Sequence, residues 1–250
     1  MASWVTASQS MTQFCADRSS PTYVKQLIDS SENLMGFANY GGIGNGGVCW
    51  WHSRFQRNAL YLTIYKPAEQ RPTLDEAKII VEKIRDAKEV IVIPGFRNFA
   101  EFSIDYRGTI QRELEKWQKG DGIIKFNWVV GLKGKSEISA EKMKASMDEL
   151  YRYVEVNGNI AYQKLQIKGV VAHAWLVVNM QKTANGGYDL EVLDSNYANM
   201  TNIYHYKPGM KGFNHAAYGN FVPYLERKEE MEKLRTIILN KCGSDSIAKN

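Results

Sequence analysis

Cysteine is scarce in this chain: Cys15, Cys49 and Cys242 are the only three in 250 residues, and no two of them form a CxxC pair. Zinc fingers, iron–sulfur sites and thioredoxin-type centres all use closely spaced cysteines, so the sequence supports none of them. We expect neither a metal nor a cofactor. An odd number leaves at least one thiol free. Cys15 and Cys242 could pair in an oxidising compartment, but two unpaired, partly buried thiols are the simpler interpretation.

Long apolar runs are missing as well. No stretch approaches the ~18 apolar residues that indicate a membrane-spanning helix, so we expect no membrane span. The N-terminal sequence MASWVTASQSMTQ has no positively charged region followed by a long apolar core, and as written it is not a secretory signal. Met-Ala-Ser would equally fit an expression start placed on a mature chain. The localisation therefore stays open, and an extracytoplasmic mature form is compatible with the sequence.

A strong charge of one sign is the third absence. The formal net charge is +5, and the basic residues are interleaved with acidic ones, as in DEAKIIVEKIRDAKE. That pattern is typical of solvated helix faces, whereas a nucleic-acid interface needs a one-sided basic patch, so we expect no nucleic-acid partner. The composition is otherwise that of a globular chain long enough to bury a core. No composition break or repeat divides it, and we predict a single domain over residues 1–250.

Helical patterns fill most of the first two-thirds of the chain, and strand patterns follow. Predicted helices cover residues 21–37, about 48–65, 73–89, 99–120, 139–154 and about 224–239. Predicted strands cover residues 90–96, 123–132, 169–181, 188–197 and 202–209. The turn Asn-Gly-Gly joins two of these strands into a hairpin. Helices segregated from an antiparallel meander predict an α+β fold.

The stretch GGIGNGGVCWW places five glycines just before Cys49. It matches the G-x-G-x-x-G pattern of dinucleotide-binding turns literally. That turn needs a strand before it and an acidic residue about 20 positions later at the end of the next strand. Neither is found here, since the later segment YKPAEQRP has the composition of a loop. A chance match in a glycine-rich loop is the better interpretation.

Cys49 opens the predicted helix that runs through WWHSRFQRNALYL. Unpaired N–H groups and the dipole at a helix start stabilise a thiolate, which is the nucleophilic form of cysteine. The preceding glycines would let backbone N–H groups approach a developing oxyanion without interference from a Cβ atom. Taken alone, Cys49 could equally be a small buried cysteine in a core helix.

His173 lies inside the apolar strand AHAWLVV, where a histidine needs a polar partner or a chemical role. Asp194 ends the next strand, 21 residues later. Because the hairpin makes the two strands antiparallel, both residues fall near the same end of the ladder, and strand alternation puts His173, Trp175 and Val177 on one face. A carboxylate beside an imidazole fixes its tautomer, and the imidazole can then hold a thiolate. Taken alone, His173 could be a satisfied core histidine.

Together these residues resemble the papain-like cysteine peptidase superfamily, in which a C-G-[SA]-C-[WY] motif lies about 130–150 residues before a His and an Asn. Here GGVCWW carries Cys49, with His173 124 and Asp194 145 residues later. HAWLVV and YDLEVLDSNY are similar to the His-Ala and Asp-x-Asn segments of bacterial members, where Asp replaces the plant-type Asn. The resemblance spans about residues 39–224, with a helix on either side as flanks.

The resemblance implies a papain-like fold, in which a helix-rich N-terminal part with the catalytic cysteine at a helix N-terminus packs on a C-terminal antiparallel sheet. It implies Cys49 as the nucleophile, His173 as general base and then general acid, and Asp194 as the group that orients His173. Asn196, two residues after Asp194, is the fallback third member.

The oxyanion hole departs from the family pattern. Papain-type enzymes place a glutamine six residues before the cysteine, and that position here is Ile43. Asn45 is the nearest side-chain donor, with Asn39 in reserve, and the backbone N–H of Cys49 would be the other donor. The disulfide of the plant enzymes is absent.

The other three histidines are expected to be structural. His52 lies three residues after Cys49 on the same helix face and could tune the site, although packing or solvation is the simpler role. His205 and His215 lie in an aromatic-rich tail that could line a substrate cleft.

The resemblance thus predicts a thiol hydrolase that cleaves a peptide or other amide bond through an acyl-enzyme on Cys49, with a protein or peptide as substrate. Two alternatives stay open. The same triad serves transglutaminases and cell-wall amidases, so the chain could transfer the acyl group to an amine. A peptidase-like binding module with an idle thiol would keep the fold without the chemistry.

Overall fold

The computed structural model describes residues 5–20, 22–39, 48–121, 135–168, 172–217 and 219–243. Its α-helices in these ranges are α1 (Met11–Ser19), α2 (Tyr23–Leu27), α3 (Cys49–Leu62), α4 (Leu74–Asp86), α5 (Phe99–Asp105), α6 (Arg107–Lys119), α7 (Ala140–Tyr151) and α8 (Lys228–Cys242). The β-strands are β1 (Thr63–Lys66), β2 (Ile91–Pro94), β3 (Ala161–Ile167), β4 (Ala172–Lys182), β5 (Tyr188–Asp194), β6 (Thr201–Tyr206), β7 (Phe213–His215) and β8 (Gly219–Leu225). Among the helices described, none is long and apolar enough to cross a membrane.

Helix α3 lies at the centre of the helical part. Every side chain in it except that of Arg54 is buried, and a helix buried all round belongs to the core rather than to the surface. It packs against β4 and also contacts α4 and α6. Ser53 Oγ donates a 3.2 Å hydrogen bond to the Ala174 carbonyl of β4. The helix that begins at Cys49 is therefore fixed against the strand that carries His173.

An antiparallel sheet makes up the C-terminal part, with the strand order β6-β5-β4-β3-β8-β7, while β1 and β2 form a separate parallel pair. The predicted hairpin is confirmed: β4 and β5 pair antiparallel, with Trp175 opposite Asp194. A β-bulge between Val177 and Asn179 shifts the register. In this register His173 and Asp194 are diagonal neighbours at the same end of the ladder.

The two faces of the sheet pack against different partners. Ala174 and Leu176 belong to the hydrophobic core shared with the N-terminal helices. Trp175 and Val177 belong to a second core that also contains residues of α7, among them Met147. Successive residues of β4 therefore point to opposite cores, as the period of a strand requires.

Aromatic rings pack together on the face of the sheet that carries Trp175. Between ring centroids, Trp175 lies 4.6 Å from Tyr204 and 5.4 Å from Phe221, and Tyr204 lies 6.1 Å from Phe213. These contacts bring β6 at one edge of the sheet close to β7 at the other. The sheet therefore curls towards a barrel whose interior is packed with side chains.

Cys15 and Cys242 form a disulfide that joins α1 to the last turn of α8, with 5.4 Å between their Cα atoms. The interpretation of these residues as two unpaired thiols is therefore wrong. The first turn of α8 is fixed as well, because Glu230 pairs with Arg54 of α3. Cys49 is left as the free cysteine.

The α+β class is confirmed, but the predicted N-terminal helix at 21–37 is wrong. In residues 22–37, the part of it that the structure describes, the chain forms only α2 and a 3₁₀ turn (Ser31–Asn33). Asn33 Nδ2 donates to the carbonyls of Leu27 and Val5, and such side-chain bonds to the backbone compete with helix continuation.

The predicted C-terminal helix is confirmed with a later start. It begins at Lys228 rather than near 224, because Tyr224 pairs with Lys164 in the ladder between β8 and β3. The predicted strand at 123–132 lies outside the described residues.

Candidate active site

Cys49 is the first residue of α3, as the glycine-rich sequence before it predicts. It is buried, with 1% of its surface exposed. The side chain of the N-cap residue, Val48, makes no capping hydrogen bond to the helix. Instead, the Val48 N–H donates to Asn39 Oδ1 over 2.6 Å. The thiol therefore lies at the positive end of the helix dipole, among the N–H groups of the first turn.

His173 and Asp194 meet at the open end of the β4–β5 hairpin. His173 Nε2 lies 2.7 Å from Asp194 Oδ1, and both residues are buried. Asp194 ends β5 and begins a 3₁₀ turn (Ser195–Tyr197), and the same oxygen accepts the Asn196 N–H at 2.8 Å. The local turn thus orients the carboxylate, and the carboxylate orients the imidazole ring.

Cys49 acts on the same ring, because its charge and its side chain both raise the pKa of His173. Since Nε2 of the ring is bonded to Asp194, Nδ1 is the ring atom left for the thiol. The structure therefore brings Cys49, His173 and Asp194, three residues predicted for the site, into one buried group.

Charge and burial act in opposite directions on the pKa values of His173 and Asp194. Burial lowers the pKa of His173, but the neighbouring Cys49 and the hydrogen bond and charge of Asp194 outweigh it and raise that pKa to about 10. Burial raises the pKa of Asp194, but the hydrogen bond and charge of His173 outweigh it, so the pKa of Asp194 is lowered. The pairing therefore favours the imidazolium form of His173 and the carboxylate form of Asp194.

The arrangement can perform nucleophilic chemistry. Asp194 holds the Nε2–H, so Nδ1 of His173 can take a proton from the thiol and return it to a leaving group. A thiolate formed there would be stabilised both by the imidazolium and by the start of α3. Within the ranges described, no group of histidine, cysteine and acidic side chains could hold a metal ion.

The two asparagines predicted for the site differ in outcome. Asn45 lies outside the described residues. Asn196 lies in the 3₁₀ turn and is exposed, because β5 ends at Asp194 instead of continuing. The hydrogen bond to His173 comes from Asp194, so Asn196 does not occupy the third position. Its backbone N–H supports Asp194 instead.

The remaining histidines have three different surroundings. His52 is fully buried, with Nε2 3.0 Å from the Phe37 carbonyl, and burial lowers its pKa to about 4. His205 is exposed and pairs with Asp189 over 2.7 Å. His215 on β7 is half-buried and lies within electrostatic range of the Asp194 carboxylate.

A group of mostly buried charges on α3 was not predicted. Arg54 and Arg57 of α3 both pair with Glu230 of α8, and Arg54 also reaches Asp121 at 3.3 Å. The available signal was two arginines three residues apart in an otherwise core-like helix, because buried arginines are almost always paired. These ion pairs anchor α8 to the helix that begins at Cys49.

Known proteins give no further guide to this site. No protein-family model matches the chain, and no curated protein or solved structure matches it. An assignment of function therefore rests on the residues and distances given above.

Proposed function

We propose that the chain is a papain-like thiol hydrolase that cleaves a peptide or other amide bond through an acyl-enzyme on Cys49. The observation that carries the proposal is the buried group of Cys49, His173 and Asp194, with the cysteine at a helix start. A structural histidine needs one acceptor for its N–H. His173 instead interacts with both a thiol and a carboxylate, which is the combination that activates a nucleophile.

In the first half of the proposed reaction, the Cys49 thiolate attacks the carbonyl carbon of the amide and a C–S bond forms. The carbonyl oxygen becomes an oxyanion near the start of α3, where the Cys49 N–H and the helix dipole stabilise it. Asn45 remains the predicted second donor. His173 then gives its Nδ1 proton to the leaving amine as the C–N bond breaks. The amine departs, and a thioester remains on Cys49.

In the second half, neutral His173 takes a proton from water while the water oxygen attacks the thioester. The C–S bond breaks, the carboxylic acid departs, and the Cys49 thiolate and His173 imidazolium are restored. Asp194 stays ionised throughout, keeps the Nε2–H and stabilises the imidazolium.

The test is to incubate the protein with a mixture of oligopeptides, quench with acid and analyse products and protein by mass spectrometry. We expect shortened peptides and an acyl adduct on the tryptic peptide that contains Cys49. Cys49→Ala is the control, with Cys15 and Cys242 still joined, and it should give neither product. If Cys49→Ala kept full activity on every substrate that the wild type cleaves, the mechanism would be wrong.

The same experiment separates the alternatives. Addition of a primary amine such as glycine methyl ester would give a new amide product if the acyl group is transferred rather than hydrolysed. A binding module with an idle thiol would give neither cleavage nor adduct with any peptide of the mixture.

A further inference from the structure

A short segment, residues 35–39, runs antiparallel along one side of α3, and we name it the brace segment. Its hydrogen bonds to the helix are Met35 N–H to Gln56 Oε1 (3.3 Å), His52 Nε2 to the Phe37 carbonyl (3.0 Å) and Val48 N–H to Asn39 Oδ1 (2.6 Å). The three contacts are four residues apart along the helix and two residues apart along the segment, so the brace segment binds the helix at successive turns.

Asn39, at the end of the brace segment, also contacts the turn behind Asp194. Its backbone N–H donates to the Ser195 carbonyl over 2.7 Å, and its Nδ2 donates to Asn196 Oδ1 over 3.1 Å. The backbone N–H of Asn196 in turn donates to Asp194 Oδ1, the oxygen that is bonded to His173. One residue thereby joins the N-cap residue of α3, Val48, to the turn that orients the carboxylate.

The chemistry of an asparagine side chain fits this position. A carboxamide presents an acceptor oxygen and a donor nitrogen, and this site uses both, one towards Val48 and the other towards Asn196. An aspartate would keep the shape and the acceptor, but it would turn a second oxygen towards Asn196 Oδ1. As a reserve donor for the oxyanion, Asn39 would have to direct its amide at a substrate. In the structure that amide binds the protein itself.

We propose that Asn39 is a positioning residue, which fixes the separation between Cys49 and the His173–Asp194 pair by tying α3 to the turn at 195–197. The proposal rests on the proposed function of Cys49. Without the tie, the thiol would move relative to Nδ1 of His173, and fewer molecules would hold the thiolate–imidazolium contact at a pH where an isolated thiol stays protonated.

The experiment measures the rate constant for alkylation of Cys49 by iodoacetamide at pH 6 and pH 9 in the wild type and in Asn39→Ala, which removes both side-chain bonds without adding a charge. We expect the ratio of the two rate constants, pH 6 over pH 9, to fall about tenfold in Asn39→Ala, because two hydrogen bonds are lost. The matched control is Asn214→Ala, which breaks the same kind of contact, a 2.7 Å bond from Asn214 Nδ2 to Asn220 Oδ1. Its ratio should stay within about twofold of the wild type, the usual size of a surface change.

If Asn39 had only a structural role, its substitution would lower the melting temperature and leave the ratio of rate constants unchanged. That result would overturn the proposal. If Asn39→Ala does not fold, Asn196→Ala removes only the acceptor of the Asn39 amide, and the ratio should again fall. A wild type that alkylates at pH 6 no faster than an isolated thiol overturns the proposed function together with this role. A fast wild type with an equally fast Asn39→Ala overturns the role of Asn39 alone.

Discussion

The surroundings of His52 and His173 can be compared directly, because both imidazoles are buried near the start of α3 and their pKa values move in opposite directions. For His52, burial lowers the pKa to about 4, and the hydrogen bond to the Phe37 carbonyl is too weak to offset it. For His173, Cys49 and Asp194 outweigh burial and raise the pKa to about 10. Burial alone therefore makes a neutral, structural histidine, and two acidic neighbours are needed to make a charged one.

The comparison also shows why one histidine in a core says little about function. His52 satisfies one acceptor in the brace segment and fits the interpretation of a packing residue. His173 is also buried, yet its ring interacts with two groups that can exchange a proton or hold a charge. The partners of the ring, rather than its burial, separate the two roles.

Removal of the His173 ring should have the largest effect. We expect His173→Ala to lower kcat/KM for amide hydrolysis by about 10³-fold or more, because both the thiolate and the general acid lose their partner. The control is His205→Ala, which removes a ring with the same 2.7 Å contact to a carboxylate, that of Asp189, at an exposed site. Steady-state kinetics on a cleaved peptide should give the same kcat/KM for His205→Ala as for the wild type. A His173→Ala protein with more than a tenth of the wild-type activity would contradict the assignment.

Neutralisation of Asp194 should have the next largest effect. Asp194→Asn keeps an oxygen for the Nε2–H of His173 but removes the charge that favours the imidazolium. We expect kcat/KM to fall about 10²-fold, within the range found for general acid–base groups. Asp189→Asn is the matched control at the exposed pair and should leave kcat/KM unchanged. Equal losses of kcat/KM in Asp194→Asn and Asp189→Asn would contradict a special role for the buried His173–Asp194 pair.

The smallest effect is the pH dependence of stability that His52 contributes, and it tests whether burial keeps this histidine neutral. The pKa of His52 is lowered in the folded state from 6.5 to about 4, so the unfolded chain binds its proton first as the pH falls. Its contribution to stability is therefore complete above pH 6.5 and is lost between pH 6.5 and about 4. The linkage amounts to about 3 kcal/mol over that window.

Urea unfolding of the wild type and His52→Gln at several pH values would measure this contribution. Glutamine can still donate to the Phe37 carbonyl but does not titrate. All other titratable groups are present in both proteins, so their contributions cancel in the difference. The difference in unfolding free energy should therefore change by about 3 kcal/mol from pH 6.5 to pH 4. A difference that is constant over this range would show that His52 is not held neutral by burial.

Much of the candidate site follows from local sequence. The Asn-Gly-Gly turn fixes the pairing of β4 with β5, and this pairing places His173 and Asp194 at one end of the ladder. The glycine-rich approach and the apolar run after it predict that Cys49 begins a helix. These features depend on turn chemistry and periodicity, which are properties of neighbouring residues.

What was missed depends on residues far apart in the chain. Strand β3 was not predicted, because Gln163, Lys164 and Gln166 are buried and break the alternation of apolar and polar residues. The disulfide joins residues separated by 227 positions, and sequence alone does not give their distance. The two-sided contact of Asn39 with α3 and with the Asp194 turn likewise appears only once the chain is folded.

The central claim is that His173 and Cys49 form an ion pair, and the pH dependence of Cys49 alkylation tests it most directly. With Cys15 and Cys242 joined, Cys49 is the thiol that iodoacetamide can label. We predict a nearly constant rate from pH 6 to pH 9 in the wild type. In His173→Gln the rate should rise about tenfold per pH unit up to about 8.5, as for an isolated thiol. A wild-type profile that follows that of His173→Gln would contradict the account.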